Sequence, residues 1–274
     1  MATKKIWRAF AALTAAVLAT SLTACASTDI SGDTITPGKL TIGTGNPAYE
    51  PWVVGDDPAS GEGFEAAVAY AVAEKLGFAK EDVIWVRTTF DEAIAPGPKN
   101  FDFNLQQYSI TEQRKENVDF SSAYYETAQV VVTTASSPAA EAKSIADLKN
   151  YLIGAASGTT SYDAIVNVIK PNQEALAFNN NDDAKAALSN GQVDAIVLDL
   201  PTALYASCCE LDGGVLVGQL PTAEKGDQFG LVLDKGSKLT AAVTKAVDDL
   251  RADGTLAKLE ETWLTADAGV PVLK

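Results

Sequence analysis

Histidine is missing from the whole chain. That absence removes Ser-His-Asp and Cys-His catalysis, together with the commonest zinc ligand. Cysteine is nearly missing as well: there are three in 274 residues, two of them adjacent, with no CxxC or zinc-finger spacing. No catalytic residue, metal site or cofactor is expected from this inventory. Basic residues are outnumbered, 21 Lys and Arg against 36 Asp and Glu, for a net charge of -15. So acidic a surface has no basic face to displace the counterions of nucleic acid, and it does not adhere broadly to anionic lipid. What is present is ordinary for a globular body, 47% hydrophobic and 21% charged, which supplies a real core and argues against disorder over most of the chain. The length suits one large domain or two medium ones.

The first 25 residues read as an export signal. Lys4, Lys5 and Arg8 form its positive start, and Ala9 to Leu22 is a mainly apolar stretch without charge. This is shorter than the roughly 20 residues a membrane span needs, and no other stretch is long and apolar enough. The run ends in Leu22-Thr23-Ala24-Cys25, which resembles the lipobox of bacterial lipoproteins. There the cysteine is lipidated and becomes the new N-terminus; an ordinary signal with a chance cysteine is the alternative. Residues 26–38, rich in Ser, Thr, Asp, Gly and Pro, read as a flexible tether. The mature protein is expected outside the cytoplasm, held to the membrane by its lipid.

Strand-like and helix-like segments then alternate, the pattern of an α/β fold. Lys39 to Thr44, Val83 to Arg87, Phe101 to Leu105 and Gln129 to Thr133 read as strands. Phe64, Val68, Ala71, Val72 and Leu76 recur at helical spacing before Gly77. A second unit begins near residue 135. Its strands are expected at Tyr151 to Ala155, Ala195 to Leu198 and Val215 to Val217. Its helices are expected at Ser161 to Ile169 and from an Asp182 cap to Asn190, with Gly191 as the stop. Gln228 to Leu233 starts the return to the first unit. Leu239 to Leu250 and Leu256 to Leu264 are helical, interrupted by Asp253-Gly254.

From Lys39 to Leu264 the chain resembles the family 3 solute-binding proteins, the amino-acid-binding subunits of polar amino acid ABC importers. The strongest piece is Ser109-Ile110-Thr111-Glu112-Gln113-Arg114, followed by Val118-Asp119-Phe120-Ser121 and Tyr124-Tyr125. Asn46-Pro47-Ala48-Tyr49-Glu50-Pro51-Trp52, Gly63-Phe64-Glu65, Ser157-Gly158-Thr159-Thr160 and Gly191-Gln192-Val193-Asp194-Ala195 follow the same order and spacing. The resemblance implies a two-lobed, type II periplasmic-binding-protein-like fold with a ligand cleft between the lobes. The first lobe would span 39–133 plus 232–274, and the second 134–231. Gln129 to Thr134 and Gln228 to Leu233 would be the hinge strands.

The same resemblance assigns roles. Arg114 would clamp the ligand carboxylate, since a guanidinium fork matches it in a bidentate way; without the motif Arg114 would pass for a surface residue. Ser157-Gly158-Thr159-Thr160 stands between a strand and a helix, where free N–H groups suit a carboxylate. Thr159 and Thr160 would add hydroxyls there, or the segment is a plain capping turn. Asp199 would accept the α-ammonium, or cap the helix before Pro201. Tyr49 and Trp52 would pack on the ligand side chain, or on their own lobe. Asn46, Glu65, Gln107 and Ser109 complete the expected set. Asn104-Leu105-Gln106-Gln107-Tyr108 departs from the small residues usual there, which leaves the ligand's identity open. Cys208 and Cys209 form a vicinal disulfide or remain two buried thiols.

The implied mechanism is capture of an amino acid by hinge closure and delivery to an ABC permease and its ATPase, by a monomer without nucleic-acid partners. An exported dehydratase acting on prephenate or arogenate, and a ligand-sensing receptor module, are the rival readings.

Overall fold

The structure is a computed structural model that describes residue 30 and residues 32–222, 226–264 and 269–274. The export signal and Cys25 lie outside the described residues, so the expected lipidation has no structural counterpart here. In chain order the strands are β1 (Leu40–Gly45), β2 (Val83–Thr88), β3 (Phe103–Asn104), β4 (Val118–Thr127) and β5 (Gln129–Thr134). They continue with β6 (Ile153–Ala156), β7 (Leu176–Phe178), β8 (Ala195–Asp199), β9 (Gly214–Gln219) and β10 (Asp227–Asp234). Two five-stranded sheets result, in the orders β2-β1-β3-β10-β4 and β7-β6-β8-β5-β9. Each is mixed: β1, β2 and β3 are parallel, as are β6, β7 and β8, while β10 and β5 run antiparallel to their neighbours.

The first sheet is covered by the helices Phe64–Lys75, Thr240–Ala252 and Thr255–Trp263. Phe64, Val68 and Val72 meet Val243, Val247 and Leu256 over Leu40, Ile42 and Leu231. Burying each such side chain is worth about 1.5–3 kcal/mol. Gly63 opens the first of these helices at φ +100°, and a Cβ there would lie 2.5 Å from the Trp52 carbonyl oxygen, so glycine is required. The second sheet is packed on both faces. Val131, Ile153 and Val197 pack with Ile165 and Ile169 on one, and Val130, Val132 and Ile196 with Ala184 and Leu188 on the other. No helix among the described residues is long and apolar enough to cross a membrane.

Several boundaries differ from expectation. β5 lies wholly in the second sheet and β10 wholly in the first. The chain therefore crosses between lobes at Ala128 and between Leu220 and Asp227, at the ends of the expected hinge strands rather than along them. The C-terminal residues, expected in the first lobe, return to the second. Gln219 N–H donates to Pro271 O (2.8 Å), Leu273 N–H donates to Gln219 O (2.9 Å), and Leu273 enters the second lobe's core. The expected tether is held to the first lobe at several points. Ile30 is buried in the first lobe's core, and the buried Asp102 carboxylate accepts from Ile35 N–H (2.8 Å) and Thr41 N–H (2.6 Å). The cap of helix Asn181–Ser189 is Asn180, whose side chain accepts from Asp183 N–H, not Asp182. Cys208 and Cys209 are joined in a disulfide and are exposed rather than buried.

Candidate ligand-binding cleft

The parallel strands of both sheets end at one place, the usual site in an open α/β sheet. Asn46 and Pro47 follow β1, Thr89 and Phe90 follow β2, and Gln106 and Gln107 lie just beyond β3. From the other lobe, Thr159 and Thr160 follow β6, Asn179 to Asn181 follow β7, and Asp199 ends β8. These residues enclose a cavity of about 140 Å³.

Arg114 sits in a single turn, Glu112–Lys115, capped by the Thr111 hydroxyl. Its side chain turns inward and is 7% exposed. Nη1 donates to Ser109 O (2.7 Å), Nη2 donates across the cleft to Gly158 O (2.9 Å), and the guanidinium stands 5.2 Å from the Phe90 ring centre. Burial holds its pKa below the usual arginine range. Both hydrogen bonds go to carbonyl oxygens, and no carboxylate among the described residues pairs with it. A buried cation without an anion costs several kcal/mol.

Asp199 faces the same cavity from the second lobe. Its carboxylate accepts from Gln129 Nε2 (2.7 Å), and the same nitrogen donates to Asp227 (2.8 Å). Burial first, and then the Asp227 charge, push Asp199 up to about 8, against the opposing pull of Gln129 and Arg114. Thr160 Oγ1 lies 3.1 Å from Ser109 Oγ, which donates to Asp227 (3.2 Å), and Ser161 donates to Gln129 Oε1 (2.7 Å). One polar network thus joins both lobes at the base of the cleft.

The remaining expected residues divide. Tyr49, Asn46 and Gln107 line the cavity with Arg114, Asp199 and Thr160. Thr159 also borders it, but its hydroxyl is used by the helix start, donating to Ala156 O (2.6 Å) and accepting from Tyr162 N–H (3.2 Å). Ser109 is set behind Thr160, within hydrogen-bonding reach of it. Glu65 is also removed from the cavity. Its buried carboxylate accepts from Gln107 N–H (2.8 Å), from Gln107 Nε2 (2.5 Å) and from the Tyr124 hydroxyl. Burial pushes it up to about 7 in spite of them. Glu65 thereby fixes Gln107, which holds the left-handed φ of 53° rare for a non-glycine residue.

Trp52 is a correction. Its ring is fully buried against Phe64, Tyr125 and Phe229, so it belongs to the core and does not pack on a ligand. Its Nε1 nevertheless donates to Thr202 of the other lobe (2.9 Å). A net hydrogen bond is worth about 0.5–1.5 kcal/mol. Trp52→Phe is therefore expected to weaken ligand binding by about 2- to 10-fold through a less favoured closed form. A double-mutant cycle with Thr202→Val, read by calorimetry, should give a coupling near 1 kcal/mol; additive effects would remove Trp52 from closure.

The sequence reading missed Phe90, Gln106 and Asn179 to Asn181 as lining residues, and Gln129 and Asp227 as partners of Asp199. The run Asn179-Asn180-Asn181-Asp182 carried a turn signal, but nothing in it pointed at a cleft. Among the described residues no cluster of His, Cys, Asp and Glu could hold a metal ion.

Over residues 40–266 the chain matches the bacterial extracellular solute-binding proteins, family 3. It is 28% identical over 228 residues to an L-arginine-binding protein of Pseudomonas aeruginosa, covering 80% of this chain and 86% of that one. An ancestral arginine-binding protein solved with bound arginine has the same fold, with a TM-score of 0.70 and 32% identity over 83% of this chain and 99% of that chain. An ancestral amino-acid-binding protein, a precursor of cyclohexadienyl dehydratase, matches with a TM-score of 0.70 and 31% identity, over 83% of this chain and 96% of that chain. The architecture is the two-lobed type II fold of amino-acid-binding periplasmic proteins.

Proposed function

The chain belongs to the bacterial extracellular solute-binding proteins of family 3, and on that premise we propose that it captures an amino acid or related zwitterion by hinge closure. It delivers the ligand to the permease and ATPase of an ABC importer, as a monomer held outside the cytoplasm by lipid on Cys25. The observation that carries this reading is Arg114, a buried guanidinium with no carboxylate partner among the described residues, facing the same cavity as Asp199. The two stand on different lobes. A zwitterion supplies the anion to one and the cation to the other, and it stabilises the closed form only through such contacts.

The test is a thermal-shift screen on protein freed of carried-over ligand by partial unfolding. The panel holds the common amino acids, ornithine, citrulline, opines and dipeptides. A ligand at a hundred times its Kd stabilises the fold by about 2.7 kcal/mol, a rise of several degrees in Tm. No shift across the panel would count against the reading. The protein is also expected to leave prephenate and arogenate unchanged. The cavity offers Asp199 but no second carboxyl group placed to work with it as an acid–base pair; turnover of either compound would make it an enzyme.

A further inference from the structure

We infer that the ligand's side chain is uncharged and ends in an amide, of the asparagine and glutamine class. This rests on the amino-acid-binding reading and narrows it. The arginine-binding relatives would suggest a cationic side chain, but among the described residues lining this cavity no carboxylate beyond Asp199 is left to pair with one. Among the described residues that line it, Arg114 and Asp199 are the charged side chains, and the ligand's own carboxylate and ammonium engage both. Burial keeps Tyr49 neutral by raising its pKa.

The nearby carboxylates are spent elsewhere. Glu65 lies behind Gln107 and is saturated by three donors. Asp227 is held by Ser109 and Gln129. Asp182 pairs outside the cavity with Lys185 at 3.0 Å. A guanidinium or ammonium enclosed here would be a buried charge without a counterion, which is strongly disfavoured. A side-chain carboxylate fares no better, because Arg114 is the one cation among the described residues lining the cavity.

What the walls do offer is oriented amides. Gln106 accepts the Tyr108 hydroxyl on Oε1 (2.8 Å), which fixes its amide and leaves Nε2 without a hydrogen bond among the described residues. Asn180 accepts Asp183 N–H on Oδ1 (2.8 Å), leaving Nδ2 in the same position. Asn180 also caps the nine-residue helix Asn181–Ser189. The positive end of that helix stands at the cavity, where it favours a carbonyl oxygen over a cation. A ligand amide answers such donors with its carbonyl oxygen. A site built to hydrogen-bond a group rejects analogues that lack it, because its own polar atoms are then unpaired.

The experiment is isothermal titration of the purified, ligand-freed protein with L-glutamine, L-asparagine, L-arginine and L-glutamate. Glutamine or asparagine is expected to bind at least tenfold more tightly than arginine and glutamate. Tighter binding of arginine or glutamate would overturn the inference and leave amino acid capture standing. Binding of none of the four would count against both. A second measurement uses Gln106→Glu, which keeps an acceptor for Tyr108 and replaces the free donor with an oxygen. Its affinity for the preferred amide is expected to fall at least tenfold and the gap to arginine to narrow. With an unchanged Tm, an unchanged preference would overturn the role given to Gln106.

Discussion

Replacing Arg114 with alanine is expected to weaken amino acid binding by roughly 30-fold or more, with the fold intact. Truncating one partner of a buried, hydrogen-bonded charge pair costs about 2–5 kcal/mol, and each 1.4 kcal/mol is tenfold in Kd. Arg114 is 7% exposed and faces the cavity, and no carboxylate among the described residues forms an ion pair with it, so its guanidinium is free to pair with the ligand. Arg114→Lys is expected to recover only part of the loss, because an ammonium is a point charge and cannot offer two parallel donors. Two effects on ligand-free stability oppose each other. The variant leaves the Ser109 and Gly158 carbonyl oxygens without their donor, but it also removes a desolvated cation. The ligand-free Tm should therefore move by only a few degrees. Calorimetric titration and thermal unfolding of wild type and both variants decide the matter. A wild-type Kd in Arg114→Ala would remove Arg114 from the site.

The longer helices were legible because apolar residues recur in them at helical spacing. Phe64, Val68 and Val72, and later Val243, Val247 and Leu250, all enter one core. The interior strands β1 and β5 are buried at every position, and β5 was legible from its run Val130-Val131-Val132. β4 was not recognised as a strand. Its burial does not alternate, because its pairing with β10 shifts register around Gly230, and a bulge breaks the period-two pattern on which strand reading depends. β7 escaped for a different reason: its apolar run Ala175-Leu176-Ala177-Phe178 is only four residues long and has no β-branched residue to mark it as a strand.

At the site, what could be read was position along the chain; what could not was direction. Arg114 and Asp199 follow motifs whose local geometry carries them to the cleft. Trp52 and Tyr49 lie three residues apart on one loop, yet Tyr49 faces the cavity while Trp52 enters the aromatic core. Glu65 shows a related limit. The resemblance put it in the ligand set, whereas here it is 2% exposed and orients Gln107 from behind. Asp227 and Gln129 acquire their meaning only from the two crossings between lobes, which bring residues 98 positions apart within 2.8 Å.

That pairing sets the pH response, and Asp199→Asn exposes it. With Asp199 pushed up to about 8, most ligand-free molecules carry a proton there at pH 7. An incoming ammonium needs the ionised form, so binding should release close to one proton at pH 7. Apparent affinity should rise by up to tenfold per pH unit from pH 6 and level off above about pH 8. Titrations in buffers of different ionisation enthalpy measure the released proton directly. Asp227→Asn removes a charge that raises the Asp199 pKa, so the rising limb should move to lower pH. The ligand-free protein responds with the opposite sign. A carboxyl group whose folded pKa lies above its unfolded value of about 3.9 stabilises fully below that value and loses its contribution as pH rises through the folded pKa. Asp199, and Glu65 pushed up to about 7, should therefore lower the ligand-free Tm between about pH 4 and pH 8. Asparagine at 199 keeps an acceptor for Gln129 Nε2 and removes the buried charge. At pH 8 it is expected to raise the ligand-free Tm by several degrees while weakening binding at least tenfold and abolishing proton release. A variant that loses both stability and affinity, with proton release unchanged, would place Asp199 in the framework rather than against the ligand's ammonium.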